Sequence, residues 1–241
     1  MESLESELER ARGLDVGTLA DAIESIGFEC TRCGGCCKAV ETDEGVEEHT
    51  ATVFPDEVRQ LQATDDYDWR DVARPMPFGL DEGEGETFEW ALQTDGCGDC
   101  VFYEESEEPG ADRGTGTCTV HGDRPLICRT YPVSVALGGT SQPMGEAVDS
   151  AGPEVREPDE TAAGGSADSA GLVRAHECEG LGRDITREDA EELAAALKER
   201  AVRELEEAIA VRDGYSPVDA EGVVVHDSEG AKRPDGRPLE D

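Results

Sequence analysis

The sequence predicts an α+β fold, a small, irregular assembly of short strands and helices gathered around cysteines, with one long helix near the C-terminus. Three observations predict it. Cysteines recur in tight local blocks that lie far apart along the chain. The apolar runs between them are brief and bounded by Gly, Pro or acidic residues, the pattern of short strands and turns. Ala190, Leu193, Leu197, Ala201, Leu205 and Ile209 recur mostly at four-residue steps, which is the stripe of an amphipathic helix.

Taken in order, residues 1–14 read as a charged helix. Asp15 can cap a second helix, in which Leu19, Ile23 and Ile26 share a face and Gly27 ends the run. Thr50 to Phe54 reads as a strand. Pro55 opens a helix through Gln62, with Val58 and Leu61 on one side. Residues 63–86 are acidic and rich in Gly and Pro, so they read as loop. Phe88 to Leu92, with Trp90, and Val101 to Tyr103 are strand candidates. Asp123 and Pro125 supply the cap and first-turn proline of a short helix carrying Cys128. Val133 to Leu137 is a further strand. Thr186 and Asp189 form a Thr-x-x-Asp capping signature for the long helix, and Gly214 ends it. Val223 to Val225 is a short apolar run, followed by a turn or hairpin in GAKRPDGRP.

These elements divide the chain into a cysteine-cluster domain over 1–137, with its core at 28–135, and an acidic low-complexity insertion over 138–170. The insertion is read as mobile and without a core. A return segment over 171–214 carries Cys178 and the long helix, which packs back on the domain. Residues 215–241 form a tail.

The 241 residues include 21 basic and 58 acidic ones, a net charge of −37. Nucleic acid is excluded as a partner, because phosphate binding needs a basic patch. Three of the cations are lysine (Lys38, Lys198 and Lys232) and the rest are arginine, while acidic residues run the whole length. This composition resembles proteins of salt-loving archaea, whose self-repulsion is screened where the Debye length shrinks to about 3 Å. No run approaches the roughly 18 apolar residues of a membrane helix, and the start MESLESELER lacks the basic and apolar parts of a secretory signal. The expected compartment is the cytoplasm.

Nine cysteines in such a compartment, odd in number and tightly spaced, argue against a disulfide framework and for a metal site. Cys30-Thr-Arg-Cys33-Gly-Gly-Cys36-Cys37 forms the first block, Cys97-Gly-Asp-Cys100 the second, and Cys118 with Cys128 the third. Cys178 stands apart. Two intervening residues let one turn aim two sulfurs at one ion, and Gly34 and Gly35 relax the backbone between them. Zinc takes four such ligands, as does a [4Fe–4S] cluster, so all nine are candidate ligands for two sites with one thiol over. The adjacent Cys36 and Cys37 are expected to point apart, one to each site. Arg32, Lys38, Arg124 and Arg129 flank cysteines and are candidate donors to the sulfurs, against the plainer reading of surface charges.

This order of motifs has a counterpart. CxxCxxCC, then Cys97-x-x-Cys100-Val101-Phe102, then Gly116-x-Cys118, then Arg124-Pro125-Leu126-Ile127-Cys128-Arg129-x-Tyr131-Pro132 resembles the YkgJ-type cysteine-cluster family. Its members are described as zinc- or iron-chelating, or iron–sulfur, proteins. The likeness covers roughly residues 28–135. Cys178-Glu179-Gly180 resembles a late Cys-Pro-Gly element, with Glu179 in place of its proline. A similar cluster occurs in flagellin lysine N-methylases, so the resemblance also implies an enzyme reading.

Three functions follow. The chain is an iron–sulfur or redox-type metalloprotein, a structural zinc or metal-handling protein without turnover, or a modifying enzyme of the methylase sort. Thiolates suit iron and zinc alike, so the cofactor is an iron–sulfur cluster or zinc. His121 and His176 each lie near a cysteine and are candidate ligands or bases, whereas His49 and His226 have no supporting pattern. Trp90 and Phe102 read as core, and Arg124 and Tyr131 as residues that hold the fold. Nothing resembles a Walker loop, a dinucleotide fingerprint, an HExxH helix or a Ser-His-Asp set.

Overall fold

The computed structural model describes residues 3–43, 45–81, 83–106, 114–137, 147–155, 170–218 and 221–239. Short strands alternate with helices along the chain, the α+β architecture expected, and the long helix spans Arg187–Gly214. The chain gathers into two compact units, one comprising Met1–Thr31 with Arg129–Ile209, the other Arg32–Cys128 with Ala210–Asp241. No helix is long and apolar enough to cross a membrane among the described residues.

The first unit starts with helix Leu4–Gly13, where Ser3 accepts from the Ser6 N–H. Glu5 and Glu7 lie in the first turn and Arg10 and Arg12 in the last, so each end carries charge opposite to its dipole. Helix Val16–Ile26 is capped by Asp15, which accepts from the Thr18 N–H at 2.8 Å. Leu19, Ile23 and Ile26 are buried on one face, as their spacing requires. Gly27 ends the helix at φ 75°, and a Cβ there would meet the Arg183 carbonyl oxygen at 2.5 Å, so only glycine fits. Three antiparallel strands follow in the order Asp149–Val155, Ala170–Ala175, Val133–Val135. The Thr186–Asp189 box starts the long helix, with the Asp189 N–H donating to Thr186 Oγ1 at 3.1 Å. Leu8, Leu19, Ile23, Val133, Val173, Leu197 and Leu205 meet in one apolar core. Each such side chain contributes about 1.5–3 kcal/mol by leaving water.

In the second unit Trp90–Leu92 is the central strand, flanked antiparallel by Thr52–Val53 and Ala73–Pro75. Helix Pro55–Gln62 covers it with Val58 and Leu61, and Glu57 closes its first turn by accepting from the Phe54 N–H at 3.1 Å. Val223–Asp227 pairs in parallel with Gly85–Thr87 and antiparallel with Gly230–Lys232. This tail sheet is tied to the core by Asp227 Oδ2, which accepts from Trp90 Nε1 at 2.8 Å and pairs with Lys232 Nζ at 2.8 Å. Trp69 meets Trp90 edge-on at 5.0 Å. Tyr103–Ser106 and Thr115–Cys118 form a separate hairpin.

Three expectations change. Residues 63–86 are not all loop, since helix Trp69–Val72 and strands Ala73–Pro75 and Gly85–Thr87 fall within them. Asp68 caps the helix, and both strands exist through partners remote in sequence, a pairing that local composition does not announce. The strand expected at Val101–Tyr103 begins only at Tyr103, because a turn bond from the Tyr103 N–H to the Cys100 carbonyl occupies the residues before it. Of the insertion expected over 138–170, residues 138–146 and 156–169 lie outside the described residues, but Asp149–Val155 is a strand. Small side chains permit it, for a Cβ on Gly171 would fall 2.4 Å from the Ala151 carbonyl oxygen opposite.

Candidate metal centre

The first cysteine block is shaped by two left-handed residues, Arg32 at φ 57° and Gly34 at φ 77°. The chain then turns, and the N–H groups of Cys37 and Lys38 both donate to the Gly34 carbonyl, at 2.8 and 3.1 Å. Gly34 must be glycine for a second reason, since a Cβ there would meet the Tyr103 hydroxyl at 2.2 Å. Gly116, whose N–H donates to the Arg32 carbonyl at 2.8 Å, leaves room for the other side of the same ring. The Tyr103 ring thus lies against two backbone segments, at Gly34 and Gly116, where a side chain would collide with it.

The second block is brought in by backbone bonds. The Cys100 N–H donates to the Cys37 carbonyl at 2.8 Å, and Asp99 accepts from the Ala39 N–H at 2.8 Å. Asp95 folds the CxxC loop, accepting from the N–H groups of Cys97 at 2.8 Å and Asp99 at 3.1 Å. Cys118 ends the hairpin strand Thr115–Cys118. Cys128 lies in the short helix Leu126–Thr130, where the Leu126 N–H donates to Glu57 Oε1 at 2.9 Å.

This scaffold sets Cys36 and Cys37 with their sulfurs 3.8 Å apart, and the thiols of Cys36, Cys37, Cys100, Cys118 and Cys128 lie near enough for their charges to act on one another. All nine cysteines are free. Cys36 and Cys37 do not diverge as expected, because their sulfurs are 3.8 Å apart. The expectation treats the block as extended, where neighbours face opposite ways. Here the residues form a turn, and side chains in a turn fan to one side. Cys33 and Cys97 lie on the same two loops, the first half-buried and the second exposed. Cys30 and Cys178 belong to the other unit, on paired segments in which Phe28 bridges Leu181 and the Glu29 N–H donates to the Gly180 carbonyl at 3.1 Å. Cys178 Sγ accepts from the Gly180 N–H at 3.4 Å.

The thiols disturb one another. A hydrogen bond from Cys37 holds Cys36 down at about 7, with Arg124 assisting, and the same bond drives Cys37 upward. Burial pushes Cys100 up to about 11, with Cys118 and Cys36 adding repulsion. Burial, then Cys100, Cys36 and Cys118, push Cys128 up, and burial raises Cys118. Backbone N–H groups two residues on, at Phe102 and Val120, offset part of this for Cys100 and Cys118. A cation reverses such a balance, because a coordinated thiol gives up its proton outright. Donor type fits as well, since sulfur-only sets suit zinc and iron. Among the described residues, no group of three or more His, Cys, Asp or Glu side chains is placed to hold a metal ion.

Of the flanking cations, Arg124 is the one whose charge acts on Cys36, Cys118 and Cys128, while its Nε donates to the His121 carbonyl at 3.1 Å. Lys38 turns instead to Glu105, at 2.5 Å, and to the Tyr103 ring, 5.3 Å away. Arg32 contributes its carbonyl, and its charge acts on His121. Arg129 is exposed, in the other unit.

The histidines have other tasks. His121 is exposed, and Arg124 lowers its pKa. His176 bonds Ser134 Oγ at 2.8 Å, and the buried His226 bonds Glu86 Oε1 at 2.8 Å between Phe88 and Tyr215. Burial lowers His49 to about 4. The residues that sequence reasoning overlooked are Asp95, Asp99, Glu57 and Tyr103. The two aspartates bracketing CxxC were a readable turn signal, whereas Tyr103 depends on glycines remote from each other in sequence.

Residues 29–151, just over half of the chain, match the family model described as "CxxCxxCC: Putative zinc- or iron-chelating domain". No curated protein matches the chain, and no solved structure does.

Proposed function

This chain belongs to the CxxCxxCC family of zinc- or iron-chelating domains, and on that premise we propose that its second unit holds a single zinc or iron ion on thiolates. The ligands are drawn from Cys36, Cys37, Cys100, Cys118 and Cys128. The observation that carries this reading is the Cys36–Cys37 sulfur pair, 3.8 Å apart, whose charges act on thiols from two other stretches of chain. Two thiolates on one tetrahedral ion with metal–sulfur bonds of about 2.3 Å stand about 3.8 Å apart. In a four-iron cluster each thiolate serves a different iron, which spreads the sulfurs further. The close pair therefore favours one ion over a cluster.

The ion supplies positive charge that lets buried thiols ionise together. The protein's part is to hold the sulfurs and neutralise them. Cys100 and Cys118 receive backbone N–H groups, and the charge of Arg124 acts on Cys36, Cys118 and Cys128. The role is metal holding or handling.

Purification without oxygen in concentrated salt, followed by elemental analysis and sulfide assay, tests the reading. The expected result is zinc or iron without acid-labile sulfide. A protein that carries neither metal, and takes up neither on reloading, overturns it. Iron with sulfide replaces the single ion by an iron–sulfur centre.

A further inference from the structure

Just past the first cysteine block the chain forms a ribbon that the metal site does not use. Strands Val40–Thr42 and Gly45–Glu47 pair antiparallel, Val40 with Glu47, Glu41 with Val46 and Thr42 with Gly45. All six residues are exposed, and neither strand pairs with a third among the described residues. A two-stranded ribbon is marginal in water by itself. This one is fastened at both feet to the second cysteine loop. The Ala39 N–H donates to Asp99 Oδ1 at 2.8 Å, and the His49 N–H to the Gly98 carbonyl at 2.9 Å. Gly98, at φ 88°, lies between the feet, where a Cβ would stand 3.2 Å from both Ala39 and Glu48. Arg74 steadies the second foot, pairing with Glu48 at 3.1 Å and donating to the His49 carbonyl at 2.9 Å.

The ribbon therefore has two open edges, each a row of unpaired N–H and C=O groups. Its charge decides what can take them. Five of the nine residues from Val40 to Glu48 are acidic and none is basic. A second copy of the ribbon, or any acidic strand, would set like charges side by side, whereas a basic strand would set opposite ones. Directly opposed residues share a face, so Val40 lies with Glu47 on one side and Val46 with Glu41 on the other. Each face thus carries an exposed valine and a carboxylate. A strand that alternates lysine with a β-branched residue finds a complement on both.

We propose that the Val40–Glu47 ribbon is a docking edge for an extended, basic segment of a partner protein, which adds to it as a third strand. The backbone of the segment bonds to an open edge, and its lysine or arginine side chains meet Glu41 and Glu47. The acidic side chains that repel self-pairing thereby select the partner. Only Lys38 and Ala39 separate the ribbon from Cys37, and its feet rest on the loop between Cys97 and Cys100. A docked partner is held beside both cysteine loops. Docking itself needs no metal, so it stands whether or not the thiols hold an ion.

The test uses the full chain as purified, in concentrated salt, where attraction from the wider acidic surface is screened beyond about 3 Å. The probe is a short fluorescein-labelled peptide that alternates lysine and valine. It is expected to bind saturably and to slow hydrogen exchange across Val40–Glu47 by roughly tenfold or more, leaving Leu19–Ile23 unchanged. The same peptide with every backbone nitrogen methylated keeps its charge but loses its donors, and should bind about tenfold more weakly or worse. In the double variant Glu41→Lys, Glu47→Lys, a glutamate–valine peptide should bind in preference to the lysine–valine one. Absence of binding, equal binding of the methylated peptide, protection that falls elsewhere, or an unchanged preference in the double variant each overturns the proposal. So does a dimer that protects Val40–Glu47 without peptide, which would make a second copy the occupant.

Discussion

The two units are stabilised by different means. The first buries leucine, isoleucine, valine and alanine from three helices and a small sheet, with no cysteine in its core. The second buries two tryptophans, Phe102 and aliphatic residues such as Val58, Leu61, Leu92 and Ile127, and Cys100 lies in that cluster with Cys37, Cys118 and Cys128 at its margin. Thiols that crowd and repel one another are poor cement when protonated or charged alone. The contrast is that cysteines enter the second core and not the first, so on the proposed reading only the second depends on a cation.

The largest effect should come from removing that cation. Chelation should destabilise the second unit by up to about 10 kcal/mol, the order seen when metal binding and folding are one process. Hydrogen exchange would show it: amides at Trp90–Leu92 should lose protection while those at Leu19–Ile23 keep theirs. Equal loss in both would erase the contrast.

Next is the converse. Leu197→Ala removes a fully buried side chain from the first core and should cost about 2–5 kcal/mol in denaturant titration. Metal content of the folded variant should be unchanged. A fall in metal content would mean that the two supports are coupled.

The smallest effect is a pH dependence confined to the second unit. Burial holds His49 at about 4, with Arg74 lowering and Asp99 raising it, against about 6.5 when unfolded. The folded pKa is the lower, so the contribution is whole above pH 6.5 and is lost as pH falls toward 4, by at most about 3 kcal/mol. In metal-free protein, His49→Gln should flatten stability across that window relative to wild type. An identical slope in both would show that other groups set it.

Legibility followed the range of the physics. Asp15 and Gly27, Pro55 and the Thr186–Asp189 box mark their helices within a few residues, and all three helices occur where those signals stand. Asp149–Val155 was hidden in low-complexity sequence because its stability lies in bonds to Ala170–Ala175, not in its own composition. The cysteines were visible as a set, and the family match rests on their spacing. Which of them meet was not visible.

By itself the sequence determined the α+β class, the capped helices and a thiol-rich site for zinc or iron, because spacing, caps and donor chemistry act over short stretches. Only tertiary structure decided that Cys36 and Cys37 bring their sulfurs to 3.8 Å and that Lys38 turns to Glu105. Those outcomes depend on glycine-permitted approaches such as Gly34 and Gly116 against Tyr103. No local signal encodes a distance between residues that many intervening ones separate.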